Sequence, residues 1–228
     1  EISECLVGSE MCIRDRGIIV KKILMLTTGG TISSIETENG LIPSSANTIL
    51  KQMGVENNKE FELYVKEILL LDSSNIQPEE WNVIAKAIYL DINNYDAIII
   101  THGTDTMAYT ASMISFMIQN PKIPIIFTGS QLPIGNFLTD AIFNLRSAFA
   151  MAMSGVGGVF LAFDRQIILG TRAVKVRTTS FHAFESINTP PVGIVDSHGL
   201  TLQKNLIPRH DLDTTFNNKI NSNVFLLK

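Results

Sequence analysis

Cysteine is nearly missing from this chain. Two occur in 228 residues, Cys5 and Cys12, and both fall within the first sixteen. Those sixteen residues show neither a helical nor a strand period and look like translated adapter sequence, so residues 1–21 are set aside as a non-native extension. What remains has no thiol for a disulfide framework or a thiolate nucleophile. The four histidines are not at ligand spacing, and GxGxxG and Gly-Lys-Ser/Thr loops are lacking, so no metal and no organic cofactor is implied. No apolar run approaches the roughly 20 residues of a membrane span, which argues against a membrane setting. A secretory pattern is lacking too, and the expected location is the cytoplasm. Charge of one sign is also scarce. The net charge is −4 with Lys and Arg scattered, which argues against a nucleic-acid partner.

What is present is apolar residue content of 45%, enough for a sizeable core, in strands that alternate with helical patterns. Ile23-Leu24-Met25-Leu26 reads as a buried parallel strand. It runs into Thr27-Thr28-Gly29-Gly30-Thr31-Ile32, at the sheet edge where open α/β folds place ligands. The two glycines let the backbone turn and bring its N–H groups close to a ligand. Thr31 would present a hydroxyl beside those donors, as acyl transfer requires. The pattern recurs at Asp96-Ala97-Ile98-Ile99-Ile100-Thr101, followed by His102-Gly103-Thr104-Asp105-Thr106. Either loop alone could be a plain turn, and Thr104 or Asp105 a helix cap. Two strand ends carrying Gly-Thr, one with an acid, suggest a shared site.

Further along, Ser33 to Pro43 reads as a mobile polar loop, placed as a lid would be. Helices are expected over Ser45–Met53, Pro78–Asn93, Thr106–Gln119 and Thr139–Met153, and strands over Phe61–Leu71, Ile123–Thr128, Gly157–Phe163 and Ile167–Leu169. Asp72-Ser73-Ser74-Asn75 is polar sequence at a strand end. It could be a turn and cap for the next helix or part of a site, and the strand-end position favours the site. Trp81 falls on the apolar stripe of its helix and is expected in the core. His102 is expected as a hydrogen-bonding scaffold residue, and Asp140 at the positive end of its helix. The Met107–Ile118 stretch, apolar nearly all round, is expected to be deeply buried or at a subunit interface.

Thr28-Gly29-Gly30-Thr31-Ile32 and His102-Gly103-Thr104-Asp105-Thr106-Met107 resemble the two signature loops of the bacterial-type L-asparaginases. The resemblance extends through Asp72-Ser73-Ser74-Asn75, Thr128-Gly129-Ser130-Gln131 and Gly170-Thr171-Arg172-Ala173-Val174-Lys175, and is nearest to the type I, cytoplasmic branch. It agrees with the fold read from the residues, a mostly parallel open α/β sheet with helices on both faces. It implies a catalytic domain over 22–200, a linker over 201–217, and over 218–228 the first strand of a second, smaller α/β domain that is cut short. It further implies hydrolysis of L-asparagine to L-aspartate and ammonia in a homodimer or homotetramer. Thr31 would be the nucleophile that forms an acyl-enzyme, and Thr104, Asp105 and Lys175 a proton relay in which Lys175 loses or shares its proton. Ser73 and Ser74, with Thr104 and Asp105, would hold the substrate. Many members carry a catalytic tyrosine in the lid, but here Leu41 stands near its place. Two alternatives stay open: the amidase subunit of a tRNA-dependent amidotransferase, and an inactive amino-acid-binding fragment.

Overall fold

Apolar strands and their crossovers decide the architecture. The computed structural model describes residues 20–29, Ile32, 45–221 and 223–224, and the backbone alone of 34–37 and 40–43. In chain order, β1 (Lys21–Thr27) is followed by β2 (Ser34–Thr37), β3 (Gly40–Pro43), α1 (Ala46–Met53) and β4 (Phe61–Glu67). Next come α2 (Pro78–Asp91), β5 (Ala97–Thr101), α3 (Met107–Met117), β6 (Ile118–Gln119), β7 (Pro124–Thr128) and α4 (Ala141–Ser154). The remaining strands are β8 (Gly158–Phe163), β9 (Gln166–Leu169), β10 (Ala173–Lys175), β11 (Phe184–Ser186), β12 (Gly193–Asp196), β13 (Gly199–Leu202) and β14 (Thr215–Phe216).

Eight strands form the main sheet in the order β13-β12-β9-β8-β7-β5-β1-β4. The five from β4 to β8 are parallel, and β9, β12 and β13 add an antiparallel edge. Alternation along the strands divides the core in two. Leu24, Leu26, Ile98, Ile100 and Phe127 pack under α2 and α3. Ile23, Met25, Ile99, Ile126 and Phe160 pack under α1 and α4. The expected α/β fold with helices on both faces is what the chain forms. Burying a side chain such as Phe127 or Phe160 contributes about 1.5–3 kcal/mol, so this double core outweighs any single loop contact.

Local signals set the helix ends. Ser45 Oγ accepts from Thr48 N at 3.2 Å to cap α1, and Gly54 closes that helix at φ +69°. Pro78 opens α2, and Glu80 reaches back to Gln77 N at 2.7 Å. Trp81 packs against the core, and its Nε1 donates to Thr110 Oγ1 at 3.1 Å.

Four expectations change. Within 33–43, read as a mobile loop, the described backbone of β2 and β3 pairs antiparallel. Leu41 lies in β3, and its side chain is outside the described residues. The strand expected to Leu71 ends at Glu67, because Ile68 and Leu69 N both turn in to Thr27 O. The helix expected to Gln119 stops at Met117, where β6 begins and pairs with β14. One side of α3 is buried through Met107, Ala111 and Ile114, while Tyr109 and Phe116 face outward. The segment 201–217, read as a linker, includes the end of edge strand β13 and the whole of β14, and Phe216 stacks on Tyr89 at 5.1 Å. The strand expected from Asn223 falls beyond the described residues after Val224.

Candidate active site

Parallel register brings three threonines into one row at the carboxyl ends of neighbouring strands: Thr27 of β1, Thr101 of β5 and Thr128 of β7. All three are buried. The loops that follow are tied to one another. Thr28 Oγ1 and N both donate to Thr101 O, at 3.0 and 3.2 Å. Leu71 N donates to Thr28 O at 3.0 Å.

Two glycines make this bundling possible. Gly29 sits at φ +109° with its missing Cβ 2.4 Å from Leu71 O, so no other residue fits there. A Cβ on Gly103 would lie 2.5 Å from Ser73 Oγ and 2.7 Å from Ser73 Cβ. The loops after β1, β4 and β5 therefore meet at backbone-contact range.

Thr104 and Asp105 stand just before α3, whose positive end favours the acid. Lys175 arrives from the other direction. It ends β10, which pairs antiparallel with β11. Its Nζ donates to Thr104 Oγ1 at 2.8 Å and to Asp105 Oδ1 at 2.7 Å. The Lys175 side chain is 13% exposed and that of Asp105 56%, so the pair is closed on the lysine side and open on the acid side. Thr106 Oγ1 donates to Ser73 O at 2.7 Å and fixes the β4 loop against the same turn.

The two serines differ. Ser73 is 3% exposed and packs on Gly103, whereas Ser74 is exposed and lies beside both acids. Ser74 Oγ is 2.8 Å from Asp72 Oδ1 and 3.4 Å from Asp105 Oδ2. One hydroxyl has one proton, and the shorter contact takes it. Asp105 Oδ2 is left available to a cation. Asp72 also accepts from Ser74 N at 2.9 Å, and these two bonds hold its carboxyl below the usual range. Asp72 thus caps the short turn Ser73–Asn75, while the next helix, α2, has Gln77 as its N-cap.

His102 is buried against Phe127, with ring centres 6.2 Å apart. Its Nδ1 donates to Gly103 O at 2.7 Å, and Nε2 has no partner among the described residues. Burial pushes its pKa down to about 4, opposed by the Gly103 bond, so the ring is neutral.

Of the residues singled out in the sequence, Ser73, Ser74, Thr104, Asp105 and Lys175 come together here. Thr31 lies outside the described residues, between Gly29 and the buried Ile32. Asp140 stands where expected, at the N-terminal end of α4, and makes no cap bond to that helix's backbone. Its carboxylate accepts from Gln131 N at 3.0 Å and Leu132 N at 3.1 Å. Asn144, 1% exposed, bridges Gly129 O (2.9 Å), Asp140 Oδ2 (3.0 Å) and Asp164 N (2.9 Å). Sequence reasoning gave no role to Asp72, Gln131 or Asn144. Only Asp72 carried a local signal, an Asx-turn spacing to Ser74.

Comparison with known proteins bears on the family and the fold. The family model described as "Asparaginase, N-terminal" matches residues 22–208. The chain is 47% identical over 175 residues to the L-asparaginase of Thermococcus kodakarensis, covering 76% of this chain and 53% of that protein. The structure of the thermostable L-asparaginase from the same organism superposes with a TM-score of 0.80 at 43% identity, covering 86% of this chain and 60% of that one. A glutamyl-tRNA(Gln) amidotransferase subunit of Methanosphaera stadtmanae is 34% identical over 221 residues, 91% of this chain and 50% of that protein. The chain spans about half the length of these curated relatives.

Proposed function

Because the chain belongs to the asparaginase family, we propose that it provides the amide-cleaving site for hydrolysis of L-asparagine to L-aspartate and ammonia. The observation that carries this reading is the Lys175 ammonium, seated 2.8 Å from Thr104 Oγ1 and 2.7 Å from Asp105 Oδ1. A lysine almost wholly withdrawn from solvent and bonded to a hydroxyl is arranged to move a proton, and a plain surface ion pair needs no such hydroxyl.

In this proposal Thr31 Oγ attacks the side-chain amide carbon. The C–N bond breaks, ammonia leaves with the proton that Thr31 gave up, and an ester remains. Water then splits the ester and returns a proton to Thr31. Backbone N–H groups of the glycine-rich loops would stabilise the oxyanion. Thr104, Asp105 and Lys175 pass protons between substrate and water. The Oδ2 of Asp105 attracts the substrate's α-ammonium, and Ser73 and Ser74 hold its α-carboxylate, the accessible Ser74 hydroxyl exchanging its bond to Asp72 for one to the substrate. The setting would be a cytoplasmic homodimer or homotetramer. Among the described residues, no helix is long and apolar enough to cross a membrane.

Ammonia release from L-asparagine, measured with the unaltered protein and with Thr31→Ala, tests the proposal. Release by the unaltered protein alone is the expected result. Full activity in Thr31→Ala would remove that residue as nucleophile. Asparagine binding without any ammonia release would leave only a binding module.

A second reading rests on the likeness to the amidotransferase protein over 91% of this chain. There the same site would supply ammonia for amide transfer to a charged tRNA. Co-purification of a second protein with tRNA-dependent amide transfer would favour it over free hydrolysis.

A further inference from the structure

We propose that Gln131 is a positioning residue that mounts the Lys175 loop and sets the direction of the Thr104 hydrogen bond, an inference that rests on the amide-cleaving reading above. Gln131 follows β7, in a loop that carries none of the residues assigned to the chemistry. Its backbone is held from α4, since Gln131 N donates to Asp140 at 3.0 Å. Its side chain crosses to the segment just after Lys175. Gln131 Nε2 donates to Thr178 O at 3.0 Å and to Ser180 O at 2.9 Å.

Those two carbonyls settle which way the amide faces. Carbonyl oxygens only accept, so the NH2 group must face them and Oε1 must face the other way. On that side Oε1 lies 3.4 Å from Thr104 Oγ1. Lys175 donates to the same hydroxyl, which therefore accepts from the ammonium and has its own proton to place. Gln131 Oε1 accepts that proton across 3.4 Å, a long and therefore weak bond beside the usual O–H···O range of about 2.5–3.0 Å. The proton is thus directed away from Lys175 yet weakly held, and it remains free to pass to a substrate or water. One side chain fixes two things at once: the path of the chain after Lys175, and the polarity of the relay.

Two substitutions separate these roles. Gln131→Glu keeps an oxygen near Thr104 but sets a carboxylate against two carbonyls. Gln131→Met removes both functions at similar length. Steady-state kinetics of ammonia release, with a pH profile of kcat, should show kcat down about 100-fold in both, as a misplacement of about 1 Å produces. KM should stay within about twofold, because Ser73, Ser74 and Asp105, which hold the substrate's α-groups in this proposal, make no bond to Gln131 among those described. A shifted pH profile is expected in Gln131→Glu alone, since only it adds a charge beside Thr104. Amide exchange over 176–183 is measured on the same proteins and needs no turnover. It should quicken in both variants. Unchanged kcat with unchanged exchange in Gln131→Met would overturn the proposal. So would a fall in melting temperature with kcat, KM and pH profile intact, which is a merely structural role. If the unaltered protein releases no ammonia but exchange still quickens, the mounting role stands and the amide-cleaving reading is what fails.

Discussion

Replacing Gly103 by alanine puts the proposed geometry under direct strain. The added Cβ would stand 2.5 Å from Ser73 Oγ and 2.7 Å from Ser73 Cβ, short of ordinary contact by up to about 0.9 Å. Rotating the serine does not help, because its own Cβ is within the clash. Ser73 is buried and its carbonyl is held by Thr106 Oγ1, so the β4 loop or the Thr104 turn must move. Overpacking of this kind costs about 1–3 kcal/mol. A shift near 1 Å at Thr104 would lower kcat/KM about 100-fold. The assay is a double-mutant cycle with Ser73→Gly, which removes the clashing Cβ. Urea unfolding should show the cost of Gly103→Ala largely relieved in the double variant, a coupling of about 1–2 kcal/mol. Strict additivity of the two stability changes would refute the contact argument. Unchanged turnover in a destabilised Gly103→Ala would refute the link from this contact to the site.

Other outcomes follow from the same geometry. Lys175→Met should lower kcat by about 100-fold or more while folding is retained, since its charge-assisted bonds serve the relay; near-normal kcat would remove it from the chemistry. Asn144→Leu should destabilise by about 2–4 kcal/mol in chemical denaturation, because Gly129 O, Asp164 N and Asp140 lose a buried partner. The pKa of His102 is depressed from 6.5 to about 4 in the fold, so the unfolded chain binds more protons in that window. Its contribution is full above pH 6.5 and lost as pH falls toward 4, with a slope of up to about 1.4 kcal/mol per pH unit. Unfolding of unaltered protein and His102→Phe from about pH 7 to 4 should diverge by that slope. Parallel curves would show the histidine to be protonated in the fold.

Legibility followed the range of the interactions. Apolar runs such as Ile23–Leu26 and Ala97–Thr101 are self-sufficient signals, because a strand buried on both faces must be apolar throughout. Their glycine-threonine endings pointed to the sheet edge for the same local reason. Helix starts at Ser45 and Pro78 were legible because a cap is satisfied within one turn. The role of Lys175 was not legible in this way. Without a resemblance to guide it, a lysine in Ala173–Lys175 reads as a solvated charge.

By itself, then, the sequence determined a set of strands, the loops that end them and the chemical groups those loops carry. Only the tertiary structure decided the strand order, the row Thr27–Thr101–Thr128, and the meeting of Lys175 with Asp105 seventy residues away in the chain. It also gave Asp140, at the start of α4, the further task of supporting Gln131, and left Ser74 rather than Ser73 open beside Asp105. The physical reason is that caps and buried strands are specified within a few residues. Bonds such as Lys175 to Thr104 or Gln131 to Ser180 exist only after crossovers and glycine contacts have set separate loops against one another.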